Sequence, residues 1–252
     1  MEMGHFNLRP FVIAVVTGLL ILTANAAEIT VYSSIGIRAA VSSLAKEFEQ
    51  ATGNKVTVHF GTASSLEREL LALNRFDIAI LTPQAISELS DAGLVLPATR
   101  FNIARVGVGV AYRSGDTPPD VSTEPRFWKT IKEARSIAIA ADGASGIYFS
   151  KLLEKNGIDI NATLIRVSGG SPLEVVAKGD AQLGIQLITE IHAAPGTALA
   201  GPLPAQLQDY TTFTAAVSTA TSSYAAIADF TEFLHSKRVA DLFLSSGLEL
   251  AQ

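Results

Sequence analysis

The chain has 252 residues, 48% of them hydrophobic and 17% charged, with 19 Gly, 10 Pro and no Cys. That composition excludes disordered, collagenous and disulfide-stapled classes and supplies apolar material for one large α/β domain or two smaller lobes. Nineteen Lys and Arg against 24 Asp and Glu leave a net charge of −5, which repels nucleic acid and anionic lipid but leaves a small anion open to capture by local donors.

The first segment reads as a secretory signal. Arg9 precedes an apolar run from Phe11 to Leu22, and Ala24 and Ala26 occupy the small-residue positions before a cleavage point. Cleavage after Ala26, making 1–26 the signal, releases an exported product with no Cys for a lipid anchor or a disulfide. A bacterial periplasm is the expected compartment. No later stretch approaches the about 18 apolar residues that cross a bilayer.

Beyond the signal, β-branched runs at 29–32, 55–60, 76–81, 106–112, 136–140, 163–167 and 181–187 alternate with amphipathic stretches. Between the first two runs, Ile37, Ala40, Val41, Leu44, Ala45 and Phe48 share one helical face, and Gly53 stands where a C-terminal cap belongs. Phe127 and Trp128 read as part of a helix covering a core. This strand–helix order predicts largely parallel sheets with helices on both faces.

Two turn-rich breaks interrupt the alternation, at 113–120 and at 195–204, where Pro and Gly are expected to exclude regular elements. A strand at 210–217 follows, then two helices carrying Ile227, Phe230, Phe233 and Leu234 and Val239, Leu242 and Phe243. The resulting expectation is a two-lobed α/β fold. Lobe I comprises 27–111 and 205–252, lobe II comprises 112–204, and a ligand cleft opens where the chain crosses twice.

Four strand-to-helix junctions carry small hydroxyl or glycine residues: Ser33 and Ser34, Thr62 to Ser65, Ala144 to Gly146, and Ser168 to Ser171. In parallel sheets such turns lie together at the carboxyl ends of the strands, where each helix start exposes unpaired N–H groups. A compact anion held there would gain hydroxyl and amide hydrogen bonds. One serine suffices for an N-cap, so paired hydroxyls at two turns exceed what capping needs. Arg38 would add charge or pair with a Glu, Asp142 would oppose an anion unless turned outward, and Tyr32 and Tyr148 flank the cleft or pack in the core.

At these same residues the sequence resembles the periplasmic molybdate-binding proteins of ABC transporters. The run from Ile29 through Ser33 and Ser34 is similar to that family's opening strand and serine turn, and the stretch from Gly61 through Ser64 and Ser65 to its second serine turn. The runs at 76–80 and 178–185 and the final helices around Phe230 and Phe243 are similar as well. The resemblance implies a two-lobed receptor for a molybdate- or tungstate-like oxyanion, a monomer that serves an ABC permease with no cofactor and no metal other than molybdate as an oxyanion. It places Ser33 or Ser34 and Ser64 or Ser65 on the anion in lobe I. It sets Ser145, Gly169 and Gly170 at the matching turns of lobe II, and Leu187 where the family has a ligand-binding tyrosine. Leu187 has no hydroxyl, so Ser145, Ser168 or Gln186 would replace that donor, or the ligand is an organic acid.

Enzyme motifs are sparse. No metalloprotease, P-loop or dinucleotide pattern is present, and the turn around Ser145 lacks the closing Gly of a nucleophile elbow. A secreted serine hydrolase using Ser145 needs His59, His192 or His235 beside it. Glu190 and His192 are two apart and cannot share a helix face. The expectation is therefore a binding protein without turnover.

Overall fold

The β-branched runs become strands in the computed structural model, which describes residues 26–73, 75–158, 163–168 and 170–251. The expected signal apart from Ala26, and Gly169, lie outside the described residues. In chain order the elements are β1 (Glu28–Ser34), α1 (Arg38–Thr52), β2 (Lys55–Gly61), α2 (Ala63–Leu73), β3 (Ile78–Leu81), α3 (Pro83–Asp91) and β4 (Phe101–Arg113). Then come α4 (Glu124–Glu133), β5 (Ser136–Ala140), α5 (Ala144–Lys155), β6 (Thr163–Val167), α6 (Pro172–Lys178), β7 (Leu183–Leu187) and α7 (Ile188–Ala193). The chain closes with β8 (Thr197–Pro202), β9 (Tyr210–Val217), α8 (Tyr224–Leu234), α9 (Lys237–Ser245) and β10 (Glu249–Leu250).

Helix α1 follows its sequence pattern. Ala40, Val41, Leu44, Ala45 and Phe48 are buried, and Gly53 ends the helix at φ 76°, a left-handed conformation that suits glycine. Phe48 meets Phe230 of α8 edge-on with ring centroids 5.0 Å apart. Burying each such large side chain stabilises by about 1.5–3 kcal/mol. Phe127 of α4 is fully buried, as its helix-over-core reading requires.

The strands join in the order β2-β1-β3-β9-β4-β7-β5-β6, with β8 and β10 also pairing β4. Strand β1 is parallel to β2 and β3, and β5 is parallel to β6 and β7. These two parallel sets are the expected βαβ units, each with helices packed on it. Strands β4, β8 and β9 run antiparallel to their neighbours, so the whole sheet is mixed and curled. One apolar core runs through both sets, from Ile29 and Phe48 past Val108 and Phe213 to Ile137 and Phe149.

One expectation fails. The Pro- and Gly-rich stretch at 195–204 contains β8, whose residues from Thr197 pair antiparallel with β4. Pro is tolerated at strand ends and bulges, and β8 has both: Pro202 is its last residue, and Ala200 bulges out between Leu199, opposite Ala111, and Gly201, opposite Val110.

Strand β4 carries the chain through both strand sets. From Phe101 to Gly107 it pairs with β9, and from Val108 onward with β7. At this seam Val108 N–H donates to Gln208 Oε1 at 2.8 Å and Val108 C=O accepts from Gln208 Nε2 at 3.0 Å. The Gln208 side chain thus completes the ladder where the two strand sets part. Gln208→Ala leaves a buried N–H unpaired and is expected to lower stability by about 1–3 kcal/mol in urea unfolding; an unchanged midpoint would show that water replaces the amide.

Candidate functional site

Every strand of the two parallel sets points its carboxyl end at one cavity of about 590 Å³. Ser34 reaches it from the end of β1, Thr62 and Ser64 from the turn after β2, Gly143 and Ala144 from the start of α5, and Gly170 and Ser171 from the turn after β6. All four junctions expected to converge do so. The strand set of β1 and β2 faces that of β5, β6 and β7 across it, and Gly36 with Leu187 closes the base. A Cβ on Gly36 would lie 2.7 Å from Leu187 Cδ1 and 3.3 Å from Phe213 Cζ, so a larger residue there would have to push these side chains aside. Thr189 donates to Gly36 C=O at 2.6 Å and ties the same place.

Within each serine pair the two hydroxyls part company. Successive strand residues face opposite sides, so Ser34 opens to the cavity while Ser33, fully buried, turns its hydroxyl toward Ser34 C=O at 3.4 Å. At α2, Ser65 donates back to Thr62 C=O at 2.9 Å while Thr62 Oγ1 accepts from Ser65 N–H at 3.2 Å, the work of an N-cap. Ser64 is left facing the cavity. Among the described residues neither Ser34 nor Ser64 has a side-chain hydrogen bond, and no occluded side-chain polar atom lacks a partner, so the Ser34 hydroxyl is open to the cavity.

Ser145 acts through a neighbour. It is 1% exposed and donates to Gln186 Oε1, which also accepts Leu187 N–H at 3.2 Å. A backbone N–H can only donate, so Gln186 must present its oxygen on that side and its Nε2 amide on the other. Gln186 itself lines the cavity. Leu187 lines it too, as an apolar wall. No side chain caps the first turn of α5, so the early amides of that helix remain available there.

The lining carries three acids, Asp142, Glu174 and Glu190, and no Lys or Arg. Asp142 and Glu174 are exposed and solvated at the rim. Glu190 is not: burial alone lifts its carboxyl to about 7, so at neutral pH much of it is uncharged. This is the functional candidate that sequence spacing dismissed, and no local pattern marks it. Arg38 stacks over the Phe60 ring at 4.5 Å and lines an adjoining cavity of about 550 Å³ with Lys178 and Glu190. Both cations thus stand behind the cleft rather than in it.

The remaining candidates have structural roles. Tyr32 is 5% exposed and stacks on His59 with centroids 4.6 Å apart, and Tyr148 donates to Leu207 C=O at 2.7 Å. His235 Nδ1 lies 2.8 Å from Thr231 C=O and its ring packs on Phe101. His192 lies beside Gly247. With its hydroxyl engaged by Gln186, Ser145 lacks the imidazole that a serine hydrolase needs. Among the described residues no three His, Asp or Glu gather as a metal would require, and no helix is long and apolar enough to cross a membrane.

A family profile described as bacterial extracellular solute-binding protein matches residues 29–249. The chain is 29% identical over 230 residues to the aconitate isomerase of a Pseudomonas species, covering 88% of this chain and 87% of that one. It is 26% identical over 193 residues to a molybdate-binding protein of Azotobacter vinelandii, covering 74% and 75%. Among solved structures, the periplasmic molybdate-binding protein of Azotobacter vinelandii superposes with a TM-score of 0.71 at 18% identity, over 89% of this chain and all of that one.

Proposed function

The chain belongs to the bacterial extracellular solute-binding protein family, and we propose that its cleft captures a small organic acid with two or more carboxylates, aconitate foremost, for delivery to an ABC permease. The observation that carries this reading is the size and character of the cleft. A cavity of about 590 Å³ with Leu187 as one wall lies in the range of about 300–1,000 Å³ typical of organic ligands, and an apolar wall suits a carbon skeleton better than a tetrahedral oxyanion. The likeness to an aconitate isomerase over most of both chains supports the same class.

In this reading Ser34, Ser64 and Gln186 Nε2 donate to carboxylate oxygens, with the free amides of α2 and α5. Ser145 holds Gln186 in place, and Gly170 lets the ligand approach the backbone. The leader at 1–26 is removed on export to the periplasm, and the mature protein acts as a monomer. A second reading, capture of molybdate or tungstate, is favoured by the paired serine turns and by the molybdate-binding relatives.

Thermal melts with aconitate, citrate, succinate, molybdate, tungstate and sulfate separate the two. A bound ligand at 1,000 times its Kd stabilises by about 4 kcal/mol, a rise of roughly 8–16 °C at this chain length. A rise with carboxylates alone supports the first reading, a rise with molybdate and tungstate alone supports the second, and no rise overturns both. Changing Ser34 and Ser64 together to Ala is expected to weaken binding about a hundredfold, and unaltered affinity would put the ligand elsewhere.

A further inference from the structure

Glu190 lies on the first turn of α7 and lines both the cleft and the cavity behind it. Among the described residues no hydrogen bond or ion pair reaches its carboxyl group. Glu190 is half-buried and its carboxyl is open to the cavity rather than enclosed by protein, so a ligand in the cleft can meet it directly. The charged groups that share its cavities are Asp142 of the β5–α5 turn, Glu174 and Lys178 of α6, and Arg38 of α1.

We infer that Glu190 is the acid–base group of a proton transfer, so that the cleft both binds an unsaturated polycarboxylate and shifts its double bond. The inference rests on the organic-acid reading above. The C–H bonds of a methylene between a carboxylate and a carbon–carbon double bond are its most acidic. The Glu190 carboxylate takes one of these protons, forming an O–H bond. The C–H electron pair becomes a new double bond, and the old double-bond pair moves to the far carbon. That carbon takes the proton back from Glu190. The double bond has moved by one position and can close in either geometry, so cis and trans acids interconvert. Glu190 returns to its starting state and no oxidant, reductant or cofactor is consumed.

Two features favour the step. A carboxyl titrating near 7 is matched to proton exchange at neutral pH. The negative charge that spreads onto the ligand carboxylates in the intermediate meets the hydroxyls of Ser34 and Ser64 and the amide of Gln186, which need no rearrangement to receive it.

Incubating the purified mature protein with cis-aconitate in deuterium oxide and following the proton spectrum tests it. The trans isomer is expected to appear, carrying deuterium in its methylene position because the Glu190 proton exchanges with solvent before it is returned, and kcat/KM should fall tenfold per pH unit below about 7. Glu190→Gln should still show the ligand-induced rise in melting temperature while its turnover drops about 10²- to 10⁴-fold. If aconitate binds but neither isomer nor deuterium appears, this inference falls and the organic-acid reading stands. If aconitate fails to bind, that reading falls as well. Turnover by Glu190→Gln at the parental rate would assign the proton transfer to another group.

Discussion

Gly146→Ala is expected to destabilise the folded protein by about 3 kcal/mol or more, at the upper end of overpacking effects, and to lower the melting temperature by roughly 6–12 °C. A Cβ at Gly146 would stand 1.9 Å from the carbonyl oxygen of Ala140. That oxygen belongs to the last residue of β5, so the clash is with backbone and cannot be relieved by a rotamer. Either α5 lifts off the sheet or β5 shifts in its ladder. Gly170→Ala is the control: its Cβ would meet Val167 at an ordinary 3.5 Å, so stability should hold although the residue lines the same cavity. Because the first turn of α5 supplies open amides to the cleft, Gly146→Ala should also weaken ligand binding in whatever fraction remains folded. Parental thermal stability in Gly146→Ala would mean that the α5–β5 approach is looser than the structure has it.

The same contact shows what could be read in the sequence. The stretch from Ala144 to Gly146 stood out as one of four small-residue junctions, and periodicity placed all four after strands, which in a parallel arrangement fixes them on one side of the sheet. That much follows from local pattern and chain order. Which serine of each pair opens to the cleft does not. Ser33 and Ser34 are equivalent by composition and are separated only by strand phase against the core, and Ser65 is withdrawn by its bond to Thr62. Strand β8 was hidden because its Gly and Pro are tolerated only at its end, beside its own bulge at Ala200 against β4. Glu190 was hidden more deeply. Its environment is assembled from α1, α6 and β7, elements far apart in the chain, and its one local neighbour of note, His192 two residues on, cannot share its helix face.

Replacing Glu190 by Gln should raise stability at alkaline pH by about 3 kcal/mol and change it little at pH 4. The folded protein holds this carboxyl at about 7, against 4.5 for the unfolded chain, and the cause is desolvation. Below 4.5 both states carry the proton and burial of a neutral group costs little. Between 4.5 and 7 the unfolded chain releases its proton while the folded chain keeps it, so stability falls as pH rises. Above 7 the folded chain must ionise as well, and the full cost of burying the charge is reached. Gln has the same shape and no charge, so the variant escapes the loss. Every other carboxylate is present in both proteins, so the difference between their urea midpoints at pH 4.5, 6 and 8 reports on this one group. Midpoints that run parallel across that range would show that water or a counter-charge already solvates Glu190. Midpoints that diverge would identify a residue that weakens the fold at the pH where the cleft works. Retaining such a group is a cost characteristic of sites where function, rather than stability, has set the residue.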